Sequence, residues 1–282
     1  MRLLAGSAVA AALAVAACGS SSSDDPPGRT SAPAAATSTA SSSASTAQAS
    51  AACSAGAKAP PAKVPSAPLD TLLRVPAKAR GHRAPLILAL HFASGTGAQM
   101  EQATRYTPEA ARSGFAVAYP TASENNFWSI DGDLDKLAST LDAVERVACI
   151  DPSRVYVSGI SNGGFMATVL ACRMAGRIAA AALFAPGVNG VGDCSPSRRI
   201  SVLEIHGTSD PIVPYRDIPA FVAGWARRDR CASASRAQRT GGAVTNFRWP
   251  GCRGGAGTAT RCGPGPPRPP AAAAAARCAC RR

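Results

Sequence analysis

The chain has 282 residues, a formal charge of +13, 10 cysteines and 3 histidines. Six arginines between positions 253 and 282, with no acid among them, account for +6 of the +13. No basic stretch is interleaved with aromatics, so the balance does not indicate a nucleic-acid partner. No cysteine pair has zinc-ligand spacing with histidines, and neither a metal site nor a cofactor is expected.

At the start of the chain, Met1-Arg2 precedes an apolar run from Leu3 to Ala17. This run is too short to span a bilayer stably and reads as a signal-peptide core, 1–17. Val15-Ala16-Ala17-Cys18-Gly19 is similar to a bacterial lipoprotein signal. That resemblance implies lipidation of Cys18 and a membrane anchor, stable when more than one acyl chain is attached. The alternative is cleavage and free secretion; both take the chain out of the cytoplasm, to the cell surface or the extracellular space. Residues 18–65 are Ser, Ala, Thr and Pro with almost no large apolar residue. They cannot bury enough surface to offset their ordering entropy and read as a flexible tether.

Residues 66–252 carry the pattern of a fold, with enough chain for one core. Thr71 to Val75, Leu86 to Leu90, Phe115 to Tyr119, Arg154 to Ser158, Ala180 to Phe184, Val202 to His206 and Val244 to Trp249 read as strands. Leu134, Leu137, Leu141 and Val144 share one helical face, and Ile218 to Arg228 forms another helix. Strands alternating with helices imply an α/β fold with a mostly parallel sheet covered on both faces.

Three segments carry chemistry. The first is Gly159-Ile160-Ser161-Asn162-Gly163, directly after Val155-Tyr156-Val157 and before a helical pattern at Phe165, Met166, Val169 and Leu170. A bare G-x-S-x-G is weak, but between a strand and a helix it is the sharp turn that exposes a serine nucleophile. The second is Asp210, in the polar loop that follows the strand ending at His206. In open α/β sheets sites assemble at the carboxyl ends of strands, and in the order Ser then Asp it is the candidate triad acid. Alone it would read as a turn residue before Pro211. The third is an oxyanion hole, built from the backbone N–H of Asn162 and a second N–H, from Phe92 or Ala93, in the loop after Leu90.

From about Leu86 to Tyr215 the chain resembles the secreted α/β-hydrolases grouped as polyhydroxybutyrate depolymerases and feruloyl or acetylxylan esterases. The resemblance is carried by Leu90-His91 with a small-residue loop, Tyr119-Pro120, Asp151 to Tyr156, Gly159 to Met166, and His206-Gly207-Thr208-Ser209-Asp210 with Val213-Pro214-Tyr215. It implies an α/β-hydrolase fold, Ser161 as nucleophile and Asp210 as triad acid. The family usually has glycine where this chain has Phe92. It also places the catalytic histidine on a Gly-rich loop after one more strand, whereas His82, His91 and His206 all precede Asp210. His91 and His206 end strands near the site and are the two substitutes to weigh.

Between Pro250 and Arg282 there is no Val, Ile, Leu, Met, Phe, Tyr or Trp. A buried strand is therefore not expected there, and 253–282 reads as a disordered Pro/Ala/Arg tail in place of the terminal strand, histidine loop and last helix. Two explanations stand: a frameshift in a GC-rich gene, and an intrinsically disordered tail. Export makes Cys53, Cys149, Cys172, Cys194, Cys231 and Cys252 disulfide candidates with fifteen pairings. Cys231 with Cys252, flanking the last strand of the pattern, is expected first, and Cys172 with Cys194 next.

The expected activity is hydrolysis of carboxylic esters, with polyhydroxyalkanoates and feruloyl or acetyl esters as substrates, impaired here by the absent histidine. The alternatives are a non-catalytic surface lipoprotein binding a polymer or glycan, and a serine peptidase. Trp128 fits a substrate-facing aromatic and a packing residue equally.

Overall fold

The computed structural model describes residues 51–192, 194–239, 244–252 and 258–263. The signal segment, Cys18, most of the tether, and residues 253–257 and 264–282 of the tail lie outside the described residues.

Among the described residues, nine strands form one sheet. They are β1 (Thr71–Arg74), β2 (Ala84–Leu90), β3 (Ala116–Pro120), β4 (Ile150–Ile160), β5 (Ala180–Phe184), β6 (Ser201–Gly207), β7 (Arg236–Arg239), β8 (Thr245–Trp249) and β9 (Thr258–Gly263), in the order β1-β3-β2-β4-β5-β6-β9-β8-β7. The pairs from β3 through β9 in that order are parallel, while β1, β8 and β7 join antiparallel at the two edges. The central strands are apolar on both faces because both are covered; all of Ala116–Pro120 is buried.

The helices are α1 (Gly97–Ala103), α2 (Tyr106–Ser113), α3 (Ile130–Val147), α4 (Asn162–Arg173) and α5 (Ile218–Arg228). Leu137, Leu141 and Val144 of α3 pack with Met166, Val169 and Leu170 of α4 and with Trp225 of α5 against Leu86, Leu88, Val155 and Val157. A smaller cluster joins Met100 of α1 and Ala110 of α2 to Val117 and Tyr119 of β3. The α3 face matches the sequence reading residue for residue, since positions 134, 137, 141 and 144 recur at the helical period.

Three boundaries differ from expectation. The tether stops short of residue 65: Cys53 is bonded to Cys149, and Val64 is buried with its N–H on the Thr71 carbonyl. Strand β4 begins at Ile150 rather than Arg154; the Asp151-Pro152-Ser153 turn is absorbed as a register shift between Ala84↔Ile150 and Leu86↔Val155. Most consequential is β9, which lies within the segment read as unable to form a buried strand. It pairs in parallel with β6, from Val202↔Thr258 to Gly207↔Gly263.

The physical reason is that β9 buries hydroxyls instead of large apolar groups. Thr258 Oγ1 donates to Asp229 Oδ2 at 2.9 Å, and Thr260 Oγ1 donates to Glu204 Oε2. Both carboxylates are completely buried, so each needs such donors. Threonine also favours strands, and alternation puts residues 258 and 260 on one face.

Two further disulfides are Cys172–Cys194, which ties the loop before β6 to α4, and Cys231–Cys252, which joins the segment after α5 to the one after β8. Replacing Thr260 with valine keeps the shape and strands a buried Glu204 oxygen. Thr260→Val should lower unfolding stability by about 1–3 kcal/mol in urea melts, with the slope unchanged; a loss within about 0.5 kcal/mol, the usual range for surface changes, would mean that β9 does not pair as described.

Candidate active site

Between β4 and α4 the chain reverses within one residue. Ser161 has φ 55° and ψ −116°, a region costly to any residue but glycine. The surroundings hold it there: Ser161 N–H donates to the Phe184 carbonyl at 2.9 Å, and its own carbonyl accepts from Phe165 N–H at 2.9 Å. The two flanking glycines are obligatory. A Cβ on Gly159 would lie 2.1 Å from the Gly163 carbonyl oxygen, and one on Gly163 would lie 2.3 Å from that of Leu90. Among the described residues, the Ser161 hydroxyl makes no hydrogen bond.

The turn presses α4 against the end of β2, which brings the Asn162 N–H beside the loop containing Phe92. A polar web holds these parts. The Asn162 side chain accepts from Trp128 N–H at 2.7 Å and donates to the Trp128 carbonyl at 3.1 Å. Trp128 Nε1–H donates to the His91 carbonyl at 2.9 Å, and the two rings lie 4.8 Å apart. Trp128 is fully buried, so it is a packing residue. Gly95 N–H closes a turn on the Phe92 carbonyl, and Ser94 N–H reaches Asn126. Among the described residues, no protein acceptor takes the N–H of Phe92 or Asn162, as an oxyanion site requires.

Asp210 follows β6 at the same carboxyl edge, two strands over from Ser161. Its Oδ1 accepts from the N–H groups of Ile212 (2.8 Å) and Val213 (3.0 Å), a turn pattern. Its Oδ2 is 3.7 Å from His206 Nε2, beyond hydrogen-bond range. Phe127 and Ile212, 51% and 83% exposed, stand on the loops to either side of the serine.

Neither histidine near the edge has a free lone pair. His91 Nδ1–H donates to the Phe92 carbonyl at 2.7 Å, and its Nε2 accepts from Ala122 N–H at 3.1 Å. Burial lowers its pKa, only partly offset by that carbonyl and by Asp133. His206 faces acceptors on both sides, Glu204 Oε1 at 2.9 Å and the Val213 carbonyl at 2.8 Å. Burial pulls its pKa down, but the bonds to Glu204 and Val213 and the charges of Glu204 and Asp210 outweigh it and raise the pKa. With acceptors on both sides, its two ring nitrogens are taken up by Glu204 and Val213, which leaves neither directed at Ser161. His82, before β2, is bonded to the Arg80 carbonyl at the opposite end of the sheet.

Glu204 and Thr260 were missed as site-supporting groups in the sequence. Glu204 was findable, because positions 204 and 206 of a strand share a face. Among the described residues no group of His, Cys, Asp or Glu side chains is placed to hold a metal ion.

A six-stranded parallel centre with helices on both faces and a strained serine turn at its carboxyl edge is the α/β-hydrolase fold. Residues 69–223 match the model of the family described as esterase PHB depolymerase, and the chain belongs to that family. It is 30% identical over 154 residues to the bifunctional acetylxylan esterase/xylanase XynS20E of Neocallimastix patriciarum, covering 53% of this chain and 22% of that protein. It is 32% identical over 146 residues to feruloyl esterase B of Piromyces equi, covering 47% and 27%. The chain thus spans about a quarter of the length of these relatives. The acetyl xylan esterase structure from Aspergillus awamori superposes with a TM-score of 0.62 at 16% identity, over 73% of this chain and 92% of that one, and shows the shared fold.

The two histidines give stability opposite pH dependences. His206 has its folded pKa above 6.5, so its contribution is complete below 6.5 and is lost as pH rises through the raised value. His91 has its folded pKa below 6.5, so its contribution holds above 6.5 and fades as pH falls through the lowered value. His206→Gln should flatten the alkaline limb of urea stability against pH and leave the acid limb; an unchanged alkaline limb would show that folding does not raise the His206 pKa.

Proposed function

We propose that the chain is an exported carboxylic-ester hydrolase, of polyhydroxyalkanoate or feruloyl/acetyl ester type, in which Ser161 is the nucleophile. The observation that carries this reading is the strained turn at Ser161, a conformation that costs about 1–3 kcal/mol and sets the serine at the carboxyl edge of the sheet between β4 and α4. Ser161 Oγ adds to the acyl carbonyl, and its proton must pass to a base. The oxyanion lies between the N–H groups of Asn162 and Phe92. The tetrahedral species collapses, the alcohol leaves with a proton, and water releases the acyl group and restores Ser161. Asp210 Oδ2 is the triad acid, awaiting an imidazole N–H. Phe127 and Ile212 offer an apolar rim to the substrate. Three disulfides fit export, and Cys18 would anchor the chain by lipid.

None of the three histidines serves Ser161 as a base, because His91 and His206 have both ring nitrogens bonded and His82 lies at the opposite end of the sheet. What is left is the acceleration from the oxyanion hole and binding, roughly 10³–10⁴-fold over water. The same commitment favours the second reading, a non-catalytic scaffold that binds polymer or glycan.

Added imidazole separates the two. Hydrolysis of p-nitrophenyl acetate is followed for this chain and for Ser161→Ala as imidazole increases. The chain's rate should climb above that of Ser161→Ala as imidazole enters the vacant base position; identical rates at every concentration would leave the scaffold reading.

A further inference from the structure

At the amino end of the sheet, opposite Ser161, five arginines converge. Arg198 and Arg199 lie on the loop entering β6, and Arg227, Arg228 and Arg230 lie at and just beyond the end of α5. Among the described residues none of the five forms an ion pair with a carboxylate. Arg198, Arg199, Arg228 and Arg230, with the 194–197 loop, line a basin of about 550 Å³.

Among the described residues, the acid in their midst offsets them only in part. Asp229 is completely buried and turned inward, accepting from Ile200 N–H at 3.2 Å and from Thr258 Oγ1 at 2.9 Å. Burial raises its pKa against the pull of those bonds and of Arg199 and Arg228. Arg228 shows the consequence: burial, followed by the like charge of Arg227, lowers its pKa, with Asp229 offsetting only part.

The basin is also rigid. Cys172–Cys194 pins one wall and Cys231–Cys252 the other. Arg198 is fixed by the carbonyls of Ala175 (2.7 Å) and Ile178 (2.6 Å), and Arg228 Nε by that of Cys194 (2.7 Å). Arg230 holds φ 52°, a strain that asparagine or glycine would relieve. Arg198 Nη1 also donates to the Arg199 carbonyl at 3.2 Å; among the described residues the guanidinium N–H groups of Arg199 and Arg230 and the Nη groups of Arg228 meet no protein acceptor, and their planar forks match carboxylates.

We infer that this basin docks an acidic polysaccharide, whose carboxylates bind Arg199, Arg228 and Arg230 while Arg198 adds fixed charge. A polysaccharide fits the shape and lining better than the other polyanions. The site is concave where a bilayer is flat, and its rim has hydroxyls at Ser195 and Ser197 but no exposed large apolar side chain to enter lipid. Trp225, the aromatic nearest by, is buried beneath Arg228 and offers no face for stacking a base. Parallel strands of about 3.3 Å per residue separate the basin from Ser161 by roughly 20 Å. A polymer held there leaves the carboxyl edge open, and the inference does not depend on ester hydrolysis.

The test is calorimetric titration with polygalacturonate at low ionic strength. Binding should be salt-sensitive and should weaken about tenfold or more in the triple variant Arg199→Gln, Arg228→Gln, Arg230→Gln, as expected from losing even one charge-assisted bond. The triple variant Lys58→Gln, Arg83→Gln, Arg112→Gln removes equal charge from exposed positions elsewhere and should bind as the parent does. Arg230→Asn relaxes the backbone, so it folds, and it should still bind several-fold more weakly. No binding by the parent, equal loss in both triple variants, or tighter binding to phosphatidylglycerol vesicles or single-stranded DNA would overturn the inference.

Discussion

The arrangement of the carboxyl edge depends on one backbone contact, that between the start of α4 and the ends of β2 and β4. At Gly163 the helix approaches the Leu90 and His91 carbonyl oxygens so closely that a single methyl would meet both, at 2.3 and 2.4 Å. This approach forces the reversal at Ser161 and aims the first N–H of α4 at the space beside the Phe92 loop. The strain is stored locally and repaid by the core on the α3–α4 face, where Met166, Val169 and Leu170 are fully buried. An enlarged residue at 159 or 163 would have to separate a helix from a sheet.

A second constraint runs through buried charge. Thr260, Glu204 and His206 form a continuous hydrogen-bonded chain from β9 to the Val213 carbonyl, within the loop that carries Asp210. Each member is nearly or fully buried, so each must be matched, and the loop inherits its position from the last described strand. Strand β9 is thus tied to the site although it contributes no reacting group. Its carboxyl end, paired at Gly207↔Gly263, opens beside the Asp210 loop.

Much of this was legible from the residues. Apolar runs of four to six residues located β2, β3, β5 and β6, and helical periodicity located α3 and α5, because burial on two faces or on one stripe leaves a clear pattern. The serine turn was legible because its glycines have no alternative. Helices α1 and α2 were not, being short and largely polar, nor was β7, an exposed edge strand with burial on neither face. Strand β9 was unreadable for a different reason: its burial is justified by Glu204 and Asp229, which lie far from it in sequence. For the site, the motif pointed to Ser161 and Asp210 as candidates and the structure sets both at the carboxyl edge, whereas the occupation of both ring nitrogens of His91 and of His206 depends on partners that the sequence does not pair with them. The basic basin was dispersed in the same way, its arginines lying about thirty positions apart, on the loop entering β6 and at the end of α5.

The claim on which the account turns is that the turn makes one hydroxyl, that of Ser161, uniquely reactive toward an acyl-like centre even where a base must come from solution. Incubation of the folded chain with a fluorophosphonate in imidazole buffer, followed by peptide mass mapping, tests it most directly. The account predicts a single phosphonyl adduct, on Ser161, that does not form when the chain is unfolded in urea before the reagent is added. Adducts spread evenly over serines and tyrosines, or none on the Ser161 peptide while the protein is folded, would contradict it.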